Sequence, residues 1–137
     1  MKGKIFTVDE ANRMLPLVAR IADDIVRTYG EVNTALQAYE AAKAAAGGDD
    51  ASEAELRRRD AEVGEVLDRF QALIQEIEAL GGTVKDYERG FIDFYGDVAG
   101  EIVYLCWTRG ETSIGHWHRL EEGYAKRRAL PVLGAAA

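Results

Sequence analysis

Residues 90–128 read GFIDFYGDVAGEIVYLCWTRGETSIGHWHRLEEGYAKRR, and this stretch decides the fold. Both histidines, both tryptophans and the only cysteine of the chain fall inside it. Three β-rich runs stand out: Phe91 to Tyr95, Glu101 to Trp107, and Ser113 to Leu120. Between them lie Gly96-Asp97-Val98-Ala99-Gly100 and Arg109-Gly110-Glu111-Thr112. Short aromatic and β-branched runs bounded by glycine predict an antiparallel meander. Thr83 to Tyr87 adds a short strand, giving a β-region over 83–128, and 129–137 reads as a loose tail.

Upstream the period changes. Thr7-Val8-Asp9-Glu10 has the form of a capping box, in which the Thr7 hydroxyl and Glu10 carboxylate each take the other's backbone N–H. Apolar residues then recur at Ala11, Leu15, Val18, Ala22, Ile25, Tyr29, Val32, Leu36 and Tyr39. Alternating steps of four and three make the 3.5-residue repeat of a coiled-coil seam. One helix over 8–46 would be about 58 Å long at 1.5 Å per residue. Pro16 lacks an N–H and is expected to bend this helix rather than end it. Gly47-Gly48-Asp49-Asp50 marks the tip of a hairpin. Ser52-x-x-Glu55 reads as a second capping box, followed by the seam Leu56, Val63, Leu67, Phe70, Ile74, Ile77 and a stop at Gly81-Gly82. Two helices over 8–80 joined by so short a link must run antiparallel. At the base a second apolar stripe appears (Met14, Leu17 and Ile21; Val66, Leu73 and Leu80), which needs another element to cover it. The expected fold is therefore α+β: one domain over 1–137, a long antiparallel helical hairpin with a small antiparallel β-sheet packed at its open end.

Charge narrows the classes of partner. The net charge is −7, with 10 basic and 16 acidic residues in 1–80 and 7 and 8 in 81–137. So acidic a chain repels phosphate backbones, and nucleic-acid binding is not expected. A single cysteine excludes an internal disulfide and fits a reducing compartment. Polar residues throughout the first twenty positions leave no signal-peptide core, and no window has the roughly 18 apolar residues of a membrane span. A cytoplasmic protein without a membrane partner is expected. P-loop, dinucleotide-fingerprint and serine-elbow motifs are absent from the sequence.

His116-Trp117-His118 is the sharpest constellation. Residues two apart on a strand share a face, so both imidazoles point one way and Trp117 the other. Paired imidazoles either begin a site for a divalent transition metal such as zinc, iron or nickel, or cross-pair with carboxylates or Tyr104 as part of an ordinary sheet. Their neighbours depend on register. A two-residue loop at Arg109-Gly110 sets Glu101 opposite His118 and Val103 opposite His116, and a tight turn after Tyr95 adds Asp93. The site would then be Asp93, Glu101, His116 and His118. A four-residue loop makes the histidines face Ile102, Tyr104 and Cys106 instead. Asp93, between Ile92 and Phe94, must be paired if buried, whether as a ligand, a base or the partner of a basic group such as Arg119. Cys106 reads as a small buried hydrophobe rather than a nucleophile. Trp107, Trp117 and Tyr124 either line a pocket or fill the layer between sheet and helices. Lys126-Arg127-Arg128 either grips an anion or a carboxylate partner or is a solvated patch.

Phe6-Thr7, Glu10-Ala11-Asn12-Arg13 and Leu15-Pro16-Leu17-Val18, with Asp93-Phe94, Val103, Leu105-Cys106-Trp107, Gly110-Glu111, Ile114, Trp117-His118, Gly123-Tyr124 and Arg127, resemble the domain of unknown function 2203 family over almost the whole chain. The resemblance implies no activity, and the family's pattern requires no histidine at position 116. Three functions are open on these residues. One is a structural or interaction module that dimerises through the hairpin or docks on a partner protein. Another is a metal-binding protein, or metal-dependent enzyme, with its centre on the sheet. The third is a small-ligand binder using the aromatic face.

Overall fold

The structure is a computed structural model and describes residues 4–130; the expected tail beyond Leu130 lies outside the described residues. Helix α1 (Val8–Ala45) starts at the expected cap: Thr7 Oγ1 accepts the Glu10 N–H at 3.1 Å and Glu10 Oε1 accepts the Thr7 N–H at 2.8 Å. It continues through Pro16 as one 38-residue helix. Pro16 lies on the exposed side of the helix, while buried Leu15 and Val18 hold the flanking turns. Helix α2 (Asp50–Ala79) begins earlier than the Ser52 box predicts. Asp49 is the cap, accepting the Ser52 N–H at 2.9 Å, and its carboxylate is favoured by the helix dipole. Leu80 caps the other end, Gly81 takes a φ of 97°, and Gly82 already belongs to the first strand.

Five strands follow: β1 (Gly82–Asp86), β2 (Phe91–Val98), β3 (Glu101–Thr108), β4 (His116–His118) and β5 (Arg128–Ala129). They form one antiparallel meander in sequence order. The β2–β3 turn is Ala99-Gly100, both at positive φ, as a two-residue hairpin loop that matches strand twist requires. That turn lies four residues beyond Tyr95, so Asp93 faces Cys106 and not Val103. Ala129, expected in the tail, pairs with His116.

Ile92, Phe94, Leu105 and Trp107 alternate onto the face that packs against Ala11, Val18, Ala22, Ile25 and Ile77 of the hairpin base. The core therefore sits at the open end of the hairpin, under the sheet. Phe6 completes it, bridging to Gly96 in parallel fashion and meeting Phe94 edge-on at 5.6 Å. Away from the sheet the expected seam is less covered. The buried row on α1 steps from Ile25 to Thr28, Val32 and Ala35, leaving Leu36 41% exposed, and α2 buries only Ile77.

A sheet with helices on one face ordinarily gives its other face to water. Here residues 119–127 cross that second face. Tyr124, in a single 3₁₀ turn (Tyr124–Lys126), stacks on Phe91 with centroids 4.0 Å apart, and Arg127 reaches Thr108 Oγ1 at 3.3 Å. Polar side chains on β2, β3 and β4 are buried beneath this crossing.

Candidate metal centre

Asp93 on β2 lies directly opposite Cys106 on β3, and His118 on β4 lies opposite Tyr104. Strand alternation sends Asp93, Cys106 and His118 to the face away from the helices, and all three are at least 97% buried. Their ligand atoms (a carboxylate oxygen, a thiol sulfur and an imidazole nitrogen) all lie within 4.8 Å of one another.

The hydrogen bonds fix the protons. His118 Nδ1 lies 3.0 Å from the Arg119 carbonyl oxygen, which can only accept, so Nδ1 carries hydrogen. His118 Nε2 lies 3.1 Å from Asp93 Oδ2, and one proton is shared between them. Whichever atom holds it, the pair is neutral overall. Burial raises the Asp93 pKa, opposed by the His118 charge and by hydrogen bonds from Cys106 and His118. Burial and the neighbouring Asp93 push the Cys106 thiol up to about 12, so it donates its proton to the carboxylate and is a poor nucleophile. Tyr104 lies tilted over the His118 ring at 5.2 Å. A hydrogen bond with Tyr95, burial and the nearby carboxylate push its phenol to about 12.

Asp93 and His118 form the floor of a pocket of about 400 Å³ walled by Lys85, Phe91, Tyr104 and Tyr124. Cys106 is buried beside Asp93 on the same face and does not line that pocket. The crossing segment is pinned by Glu122, which accepts the Arg119 N–H at 3.0 Å and two Arg128 guanidinium N–H groups at 2.8 and 2.9 Å. Arg128 and the Arg119 backbone hold the Glu122 carboxyl down at about 2.

Of the four residues that the two-residue loop would gather, the structure brings Asp93 and His118 together. Glu101 pairs with Val98 across the β2–β3 turn, and its exposed carboxylate binds Arg119 Nε at 3.0 Å. His116 faces Cys106 and Ala129, with Nδ1 3.7 Å from Glu111 Oε2 and no hydrogen bond. The register differs because the β3–β4 connection is longer and tied down. Trp107 Nε1 donates to the Glu111 carbonyl at 2.9 Å, the Thr108 N–H to Glu111 Oε1 at 2.8 Å, and the Ile114 N–H to Asn12 Oδ1 at 2.7 Å. The connection, residues 109–115, is longer than either the two-residue or the four-residue loop, and it sets His118 opposite Tyr104 and His116 opposite Cys106, two of the neighbours expected of the four-residue loop. The aromatic trio is split: Trp107 is in the core, Trp117 lies on the helix side between Arg119 and Arg128, and Tyr124 walls the pocket. Within the basic triplet, Arg127 and Arg128 are engaged by Glu111 and Glu122.

A family model described as an uncharacterized conserved protein, DUF2203, matches residues 4–130, which include every residue of this centre. The chain belongs to the DUF2203 family. No curated protein and no solved structure matches it. Membership in DUF2203 brings no reaction with it. One nitrogen, one sulfur and one oxygen donor, buried together with an approach from one side, is a set suited to a borderline-soft divalent ion.

Proposed function

We propose that this DUF2203 protein binds a divalent transition metal, zinc by its donor set, through Asp93, Cys106 and His118. The convergence of the three buried donor atoms within 4.8 Å carries the reading. Tetrahedral zinc, with bonds of about 2.0–2.3 Å, holds its ligands roughly 3.5 Å apart. Side-chain rotations of about 1 Å would close the set. The Arg119 carbonyl on Nδ1 turns the other imidazole nitrogen toward the centre, as partners of metal-bound histidines commonly do. Charge also favours the exchange. The metal-free centre is neutral, with a protonated thiol and one proton between Asp93 and His118. One divalent ion replacing those two protons leaves it neutral again, so a buried site gains no net charge.

Three protein ligands leave a fourth position, and the pocket over Asp93 and His118 supplies room for it. An open position of this kind serves Lewis-acid chemistry as well as storage. A thiolate ligand also suits the reducing, cytoplasmic setting expected from the single cysteine. The four-ligand version with Glu101 and His116 would require a different β3–β4 register. Metal content of protein purified without added metal, then after incubation with zinc and desalting, tests the reading. Cys106→Ala and His118→Ala should each lose the ion, while His116→Ala and Glu101→Ala keep it. Native protein that takes up no metal above background, or Cys106→Ala that retains it fully, refutes the reading.

A second reading, self-association through the hairpin, rests on the uncovered helices. Leu17, Leu36 and Leu67 are 47%, 41% and 36% exposed, and α2 buries one residue in 30. Two hairpins forming a four-helix arrangement would cover them. Sedimentation equilibrium at micromolar concentration should give twice the chain mass of 15.1 kDa; a monomer refutes dimerisation.

A further inference from the structure

The pocket above the centre has walls of its own, and Lys85 is the informative one. Its ammonium lies 4.8 Å from the centre of the Tyr104 ring and joins no ion pair among the described residues. Every other charged side chain lining the pocket is committed to the protein. Asp86 Oδ1 accepts the Glu88 and Arg89 N–H groups at 2.9 and 2.7 Å. Glu122 is clamped by Arg128, and Asp93 by His118. Lys85 is placed by the irregularity in β1: pairing runs from Val84–Ile92 directly to Asp86–Phe91, so the residue between them has no partner across the strand. The remaining walls are flat and apolar. Phe91 and Tyr124 are stacked almost parallel, 3° apart, and Tyr104 and Leu120 close the other sides.

We propose that this pocket binds a small organic carboxylate with a flat apolar body, its anionic group on Lys85 and its body between the Tyr104 ring and the Phe91–Tyr124 stack. Lys85 is exposed, so its charge contributes through a charge-assisted hydrogen bond at the pocket mouth and not through a desolvated ion pair. The rings supply contact area, and pockets of this volume hold molecules of that size. The inference stands on these walls and is independent of an ion on the floor.

Benzoate and its neutral isostere benzamide, titrated calorimetrically into the full chain freed of metal by chelator, test the proposal. Benzoate should bind saturably and benzamide about tenfold more weakly. Lys85→Gln should weaken benzoate about fivefold and leave benzamide unchanged, whereas Lys85→Arg keeps most of the affinity. Thermal unfolding of the exposed Lys85→Gln variant at the native temperature verifies that the fold is intact. Equal affinity for the two probes, no benzoate binding, or benzoate binding indifferent to Lys85→Gln overturns the proposal. Repeating the titration after zinc addition separates the two ideas. Benzoate that binds only with zinc present, whatever stands at 85, overturns the Lys85 assignment and leaves the metal reading intact. Lys85-dependent binding by a protein that takes up no zinc upholds the pocket and removes only the metal.

Discussion

The Asp93–His118 pair makes a strong claim on stability that can be checked before any ion is added. Both side chains are at least 96% buried, so the pair is not a surface salt bridge of about 0–1 kcal/mol. Breaking a buried pair by removing one partner costs about 3–5 kcal/mol when the other is left charged. Relief is available here, because the shared proton can settle on whichever partner remains, and the raised Asp93 pKa favours a neutral acid. Asp93→Ala and His118→Ala should therefore each cost about 2–4 kcal/mol in chelator-treated protein. The double variant should cost about 1.5–3 kcal/mol less than the sum, since the second deletion removes a group already orphaned. Urea unfolding of the four proteins at pH 7 measures the cycle, with melting temperatures shifting by roughly 3 °C per kcal/mol at this size. Single costs that add within about 0.5 kcal/mol would show that the two side chains are not coupled and would refute the shared proton.

Other outcomes follow from the packing. Gly96→Ala should destabilise by about 2–3 kcal/mol in urea, because a Cβ there collides with the Leu105 side chain in the core; a neutral result contradicts that packing. Asn12→Ala should cost about 1–3 kcal/mol by stripping the Ile114 N–H of its acceptor, and slow exchange of that amide should be lost with it. Glu122 has a folded-state pKa lowered from 4.5 to about 2, so its stabilisation is complete above 4.5 and is lost as pH falls toward 2. Subtracting the acid titration of Glu122→Gln from that of the native protein should leave a Trp117 fluorescence change in that window, and identical curves would refute the clamp.

The helices were legible because their signals are local. The Thr7 cap, the 3–4 apolar spacing and the Gly47-Gly48 break each act within a few residues, and each marks a real boundary or face. Ser52 misled because Asp49 offers the same capping geometry one turn earlier with a better charge. Leu36 fits the heptad but ends up exposed, since two helices alone cannot cover both sides of a seam. The site was only half legible. Asp93 and His118 are conspicuous as polar residues in apolar strands. Their third neighbour depended on register, and register was set by contacts far apart in sequence: Asn12 holding Ile114, and Glu111 holding Trp107 and Thr108. No spacing rule encodes an anchor from the first helix to the β3–β4 loop. The crossing segment that buries the centre was equally hidden, because Tyr124 and Arg127 meet their partners Phe91 and Thr108 only in the folded chain.

The metal assignment is tested most directly by counting protons. Zinc entering the centre must displace the Cys106 thiol proton and the proton shared by Asp93 and His118. Calorimetric titration of zinc into chelator-treated protein at pH 6, in buffers of different ionisation enthalpy, gives that count below the range near 7 where zinc-bound water ionises. The account predicts one zinc per chain with release of about two protons. Native protein that binds no zinc, or binds it without releasing protons, would contradict it.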